Sequence, residues 1–139
     1  MGETVRFGVS MDRELLDLFD SIISSKGYSS RSEAIRDLIR GMIVEERWKT
    51  REGEMMGVLI VVYDHTQREL CSRLTREQHH HGDLILCTLH FHIDEMNCME
   101  TTVFRGRAEE IKKAADELSS LRGIKYSKFI FATTGKDLP

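Results

Sequence analysis

The chain has 139 residues, 40% of them hydrophobic and 31% charged, with a formal net charge of −3. That length holds one domain or two small ones, the composition is that of a globular protein, and the charge argues against a general polyanion binder. No apolar run approaches the length of a membrane-spanning helix, no signal peptide opens the chain, and three cysteines without a CxxC fit a reducing cytoplasm.

Val5, Phe7, Val9 and Met11 alternate with Arg6, Gly8 and Ser10, the pattern of a strand with one face buried. Asp12 is placed to cap the helix that follows, whose apolar stripe is Leu15, Leu18, Phe19 and Ile22 and which Gly27 closes. Ser30 and Glu33 read as a capping box for a second helix with the stripe Ile35, Leu38, Ile39, Met42 and Ile43. Residues 1–47 are therefore expected to run strand–helix–helix.

One strand and two short helices cannot bury their apolar faces alone, and a strand needs a partner for its ladder. A two-fold dimer with the two strands paired antiparallel is the simplest solution. The ribbon would present Arg6, Gly8 and Ser10 from each chain, and a two-stranded ribbon fits the DNA major groove. This is the sequence pattern of a ribbon-helix-helix DNA-binding domain, and RSEAIRDLIR (31–40) resembles the second helix of that family. The free N–H groups beside Ser30, Arg31 and Ser32 are placed to hold a backbone phosphate. Residues 1–47 carry seven Lys/Arg against nine Asp/Glu, a net of −2, so nonspecific DNA affinity is expected to be weak. A dimerisation module or the antitoxin half of a toxin pair is the competing reading.

Residues 48–54 are polar with Gly53 and read as a linker or a fraying continuation of the helix. Next come an apolar strand (55–63), a helix (66–78) with Leu70, Cys71 and Leu74 inward, and strands at 84–93 and 98–105. A helix at 107–121, with the stripe Ile111, Ala114, Ala115 and Leu118, and a strand at 124–132 complete the order βαββαβ. The expected fold class is α+β, an N-terminal ribbon-helix-helix domain followed by a ferredoxin-like, ACT-type domain over 55–133. A loose tail is expected at 134–139.

The stretch QHHHGDLILCTLHFHIDEMNC (78–98) holds five of the six histidines and two of the three cysteines. On an extended strand Ile85, Cys87, Leu89, Phe91 and Ile93 point one way, and Leu84, Leu86, Thr88, His90 and His92 the other. The two imidazoles then lie roughly 6–7 Å apart along the strand. Cys98 can return a thiolate to the same place after the turn at 94–97, and His79, His80 or His81 can add a further imidazole. Three imidazoles and a thiolate suit zinc, copper or nickel rather than calcium or magnesium, and the residue types alone do not choose among the three.

Over essentially its whole length, the combination of a ribbon-helix-helix head with HHHGDL, HFH and a following cysteine resembles the nickel-responsive transcriptional repressors of the NikR type. That resemblance implies one Ni(II) per chain, held in a plane by His79, His90, His92 and Cys98, with His79 supplied by a neighbouring chain. It also implies a homotetramer, a dimer of dimers built around the ACT-type domains, binding double-stranded operator DNA and repressing nickel uptake. Arg6, Gly8 and Ser10 would read the operator, and Gly8 departs from the polar side chain common at that position. Arg68 matches one of a basic pair that grips DNA in some members, with Gln67 in place of the other. Glu33 and Asp37 match positions that hold a hard monovalent or divalent cation in the DNA complex. An alternative is a copper or zinc sensor, or a metal-storage protein without operator function. Catalysis is disfavoured, because four protein ligands close a planar site and no HExxH or Ser/His/Asp pattern occurs.

Overall fold

The computed structural model describes residues 2–51 and 53–139; residues 1 and 52, the latter inside the expected linker, lie outside them. The chain forms two compact units, Met1–Gly41 and Met42–Pro139.

The first unit contains helix α1 (Arg13–Ser25) and the start of α2 (Arg31–Thr50). Gly27 ends α1 at φ 81°, where the Tyr28 N–H donates to the Ile23 carbonyl and the Gly27 N–H to the Ser24 carbonyl. This double closure is the Schellman arrangement, which needs a residue that tolerates the left-handed region. Asp12 does stand at the N-cap of α1, but its side chain makes no capping bond, and only its carbonyl accepts from Leu16. The expected capping box is half formed. Ser30 Oγ accepts from the Glu33 N–H, whereas the Glu33 carboxylate accepts from the N–H and hydroxyl of Ser29 instead of the Ser30 N–H.

The expected N-terminal strand is absent from the single chain. Residues 2–12 carry neither helix nor strand, because a strand exists only with a hydrogen-bonding neighbour and this segment has none among the described residues. Val5 and Phe7 are left 76% and 69% exposed, and Leu15, Leu18, Ile22, Leu38 and Met42 are exposed as well.

The second unit is a four-stranded antiparallel sheet of β1 (Glu54–Asp64), β2 (Ile85–His92), β3 (Asn97–Arg107) and β4 (Ile124–Thr133), in the order β2-β3-β1-β4. Helices α3 (Arg68–His80) and α4 (Ala108–Ser119) complete the βαββαβ order of a ferredoxin-like, ACT-type fold. Burial alternates along β1 as far as Tyr63 and along β3 as far as Phe104, with Met55, Leu59, Val61 and Tyr63 and then Cys98, Glu100, Thr102 and Phe104 on the covered face. Ile111, Ala114, Ala115 and Leu118 of α4 and Leu70 and Leu74 of α3 close the core over that face. Gly57 admits the Phe129 ring, since a Cβ there would lie 2.5 Å from it.

The register between β2 and β3 shifts after Ile85, which pairs with Phe104 while Cys87 pairs with Val103. Leu86 is the extra residue of this bulge, so Ile85 turns to the core face and leaves the row of Cys87, Leu89 and Phe91 in which simple alternation placed it. That row belongs to the sheet's open face, where Leu89, Phe91, Tyr126 and Ile130 are exposed.

The polar stretch expected as a linker from residue 48 begins instead as helix. α2 runs on to Thr50, and Trp48 is buried at 6% exposure, its ring packed on Phe129 and Phe131. Its Nε1–H donates to the Ala132 carbonyl at 2.9 Å, and the Arg47 guanidinium donates to the carbonyls of Lys136 and Asp137, holding the tail expected to be loose. One indole therefore accounts for why the helix does not fray. Trp48→Ala should destabilise the second unit by about 3–5 kcal/mol, the usual cost of truncating a buried tryptophan. Urea unfolding followed by circular dichroism reads this, and a change within error of zero would show that the helix end is not docked.

Candidate metal centre

The turn between β2 and β3 is built by Asp94. Its carboxylate accepts from the Met96 N–H at 2.8 Å, the Asn97 N–H at 2.7 Å and the Asn97 side-chain amide at 2.8 Å. The Asn97 amide foremost, then the two backbone N–H groups, hold the Asp94 carboxyl down to about 2. Lys125 Nζ fixes the far side of Asn97 at 2.6 Å.

With the turn set, antiparallel pairing puts His92 directly opposite Cys98 and His90 directly opposite Glu100. Residues directly opposite share a face, so both imidazoles lie on the side of the thiol. Cys98 Sγ is 3.3 Å from His92 Nδ1, and the His90 and His92 rings are 5.1 Å apart. Cys98 is fully buried, and burial pushes its thiol up, with Cys71 and Glu100 adding to the effect.

Glu100 is the buried charge at the centre of this group. Tyr63 donates its hydroxyl proton to Glu100 Oε2 at 2.6 Å, and the Gln78 amide donates to Oε1. Burial, reinforced by Glu100, raises the Tyr63 phenol, so it remains a donor. With that proton spent on Glu100, the Tyr63 oxygen accepts from His90 Nδ1 at 3.3 Å, and Glu100 Oε2 lies 3.6 Å from the same nitrogen. This leaves His90 Nε2 as the ring nitrogen open to a metal, the kind of orientation that outer-shell partners impose on metal-binding imidazoles.

His65 lies outside the stretch 78–98 that the sequence marks for metal binding, yet the structure brings it to the same place. Its Nε2–H donates to the Glu95 carbonyl at 2.6 Å, which frees Nδ1. One ligand atom each from His65, His92 and Cys98 lies within 4.8 Å of the others. The contact follows from the Glu95 carbonyl in the β2–β3 turn, which no local pattern around His65 signals. Glu100, Tyr63 and Gln78 were also missed, although Glu100 follows Cys98 by two on one strand and so shares its face.

His79 stands apart. It is exposed in the last turn of α3, beside grooves lined by Thr75, Arg76, Gln78 and Thr88, and does not join the His65–His92–Cys98 group. Cys87 is exposed on the open face, and Cys71 is half-buried with its thiol directed to the His65 carbonyl. A thiol with imidazoles converging on it suits a borderline-soft transition ion, and the donor set fits nickel, copper or zinc.

In the first unit Arg6, Gly8 and Ser10 are exposed, and Arg6 and Ser10 line a groove together with Arg31 and Ser32. Arg31 is not free for a phosphate, since it grips Asp20 through two bonds of 2.7 and 2.6 Å. Ser32 is exposed, as is Arg68 at the first position of α3. Glu33 is occupied by Ser29, and Asp37 accepts from the Tyr28 hydroxyl and pairs with Arg40.

An α+β chain that joins such a two-helix head to a sheet carrying a thiolate–imidazole cluster has the build of a metal-responsive DNA-binding regulator. Residues 56–132 match the family described as NikR C terminal nickel binding domain, and residues 5–45 match ribbon-helix-helix protein, copG family. A protein of Geobacter sulfurreducens named as a nickel-responsive regulator is 51% identical over 138 residues, covering 99% of each chain. One of the same name from Pyrococcus furiosus is 48% identical, covering 96% of this chain and 97% of its own. An uncharacterised protein of Thermotoga maritima shares the fold of part of the chain, with a TM-score of 0.51 over 57% of it at 14% identity. The chain belongs to the nickel-responsive regulators, DNA-binding proteins rather than enzymes. No described helix is long and apolar enough to cross a membrane.

Because the Cys98 thiol is raised, it holds a proton at neutral pH that a metal must displace. Apparent nickel affinity should therefore climb about tenfold per pH unit through the neutral range, with about one proton released per ion. Calorimetry in buffers of different ionisation enthalpy counts that proton, and a pH-independent affinity would contradict the buried-thiol geometry. Removing the charge behind His90 provides a second check. Glu100→Gln should weaken nickel binding by about 10–100-fold, the usual effect of losing such a carboxylate, without removing the nickel–thiolate absorption.

Proposed function

We propose that this regulator is a repressor whose DNA binding is switched on by one Ni(II) per chain, held in a plane by His79, His90, His92 and Cys98. His92 opposite Cys98, with His90 beside them and His79 outside the group, supports this most directly. On one chain His92 and Cys98 converge with His65, the His90 ring stands 5.1 Å from that of His92, and in this reading His79 comes from a neighbour. The exposed open face of the sheet supports packing of ACT-type domains on each other, and the exposed Val5, Phe7 and Val9 support pairing of two N-terminal segments. Both together make a tetramer, a dimer of dimers, in which each ion bridges two chains and favours the arrangement that presents the ribbons to operator DNA. Arg6 and Ser10 read base edges, Gly8 between them on the ribbon offers no side-chain contact, and Ser32 and Arg68 contact phosphates. Arg31 joins them only by exchanging Asp20 for a phosphate. Copper competes for the same donors by intrinsic affinity, so selectivity lies in geometry and supply.

A nickel titration followed by optical absorption tests the site: Cys98→Ser abolishes the thiolate band, and Cys87→Ser leaves it intact. The reverse outcome would overturn the ligand assignment. The shared site is tested by refolding His79→Ala and His90→Ala chains together, where a mixed interface regenerates one intact site. No recovery of tight nickel binding rules out bridging. For the DNA surface, Arg6→Ala should abolish specific operator binding with nickel binding unchanged, since a bidentate arginine–guanine contact contributes about 1–3 kcal/mol per chain. Unchanged gel-shift affinity would remove the ribbon as the reading surface.

A further inference from the structure

A second group of metal-ligating side chains lies at the end of α3, away from Cys98. Glu77 and His81 are four residues apart at the C-terminal end of that helix, where such spacing puts side chains on one face. The position of His81 is fixed, since its N–H donates to the Glu77 carbonyl at 3.1 Å as the helix cap. Glu117 comes from α4, and its Oε2 lies 2.7 Å from His81 Nε2. One ligand atom from each of the three lies within 4.8 Å of the other two.

An imidazole–carboxylate bond is common in proteins, and by itself would explain only His81 and Glu117. The second carboxylate goes beyond that pair. Two glutamates converge on one imidazole whose side chain is only 13% exposed, and among the described residues neither glutamate is paired with a lysine or arginine. A divalent ion between the three would supply that positive charge and take the place of the hydrogen bond between His81 and Glu117. We propose that Glu77, His81 and Glu117 form a second metal site within a single protomer, taking a divalent first-row ion such as zinc. One imidazole and two carboxylates are a ligand set for such ions, bound at about 2.0–2.2 Å, with remaining positions left to water. The set contains no thiolate and excludes Cu(I) on softness. Glu117 is 41% exposed, which leaves its side chain room to draw inward and reach bonding distance. An ion there ties the last turn of α3 to α4.

The test is equilibrium dialysis of the full-length protein against zinc, with metal and protein counted at saturation. The expected result is two zinc ions per chain in the unaltered protein, and one in His81→Ala and in Glu117→Gln. The affinity for the second ion should fall at least tenfold in each variant, and Glu117→Gln keeps the shape of the pair should His81→Ala fail to fold. Retention of the second ion in both variants, or saturation of the unaltered protein at one ion, would overturn the proposal. Nickel–thiolate absorption at Cys98, recorded on separate metal-free samples of the same proteins titrated with nickel, reports the first site by itself, so failure of either assignment leaves the other standing.

Discussion

The antiparallel register of β2 against β3 is the constraint on which the candidate metal centre depends. Because His92 pairs with Cys98 and His90 with Glu100, one strand carries the imidazoles and its neighbour carries the thiol and the charge behind them. Side chains in a strand alternate faces, so a slip of one residue would send both imidazoles to the open side. Two devices hold the register. Asp94 locks the turn at one end, and the bulge at Leu86 absorbs an extra residue at the other, letting Ile85 seal the core without moving the histidines.

Glu100 extends this local geometry into the fold. It is buried, and a buried carboxylate is tolerated only with its oxygens hydrogen-bonded. Its partners come from β1 through Tyr63 and from α3 through Gln78, and its charge stands behind His90. The helix residue that satisfies it immediately precedes His79. The same hydrogen bonds that make the charge bearable therefore fix the last turn of α3 relative to the His90 strand, the coupling a sensing domain requires.

The unit Met1–Gly41 shows the opposite situation. Its apolar residues outnumber what two helices can cover, and the alternating row from Val5 to Met11 remains exposed. A segment with that pattern and no ladder is an unfinished strand, and a second copy of itself offers both the hydrogen bonds and the apolar cover. The open face of the sheet is exposed in the same way, so among the described residues of the single chain two apolar surfaces are left without cover.

The element order of the second unit and the histidine-bearing strand were legible in the sequence, because they rest on local pattern: an unbroken apolar run in Val58–Tyr63, the alternate positions of His90 and His92, and helical spacing in Ile111–Leu118. His90, His92 and Cys98 stood out for the same reason, since a short hairpin returns Cys98 beside His92 whatever surrounds it. Only the tertiary structure decided the rest. The helical fate of Trp48 depends on Phe129 and Phe131, distant residues that give its indole a place to bury. The bulge that turns Ile85 inward depends on Phe104 and Val103 across the strand. His65 joins Cys98 only because the Glu95 carbonyl captures its other nitrogen. Sequence by itself marked His90, His92 and Cys98 as ligand candidates and the strand and hairpin that present them. Their partners across the sheet and between helices are long-range, and free energies of burial and hydrogen bonding select those partners only once the chain has folded.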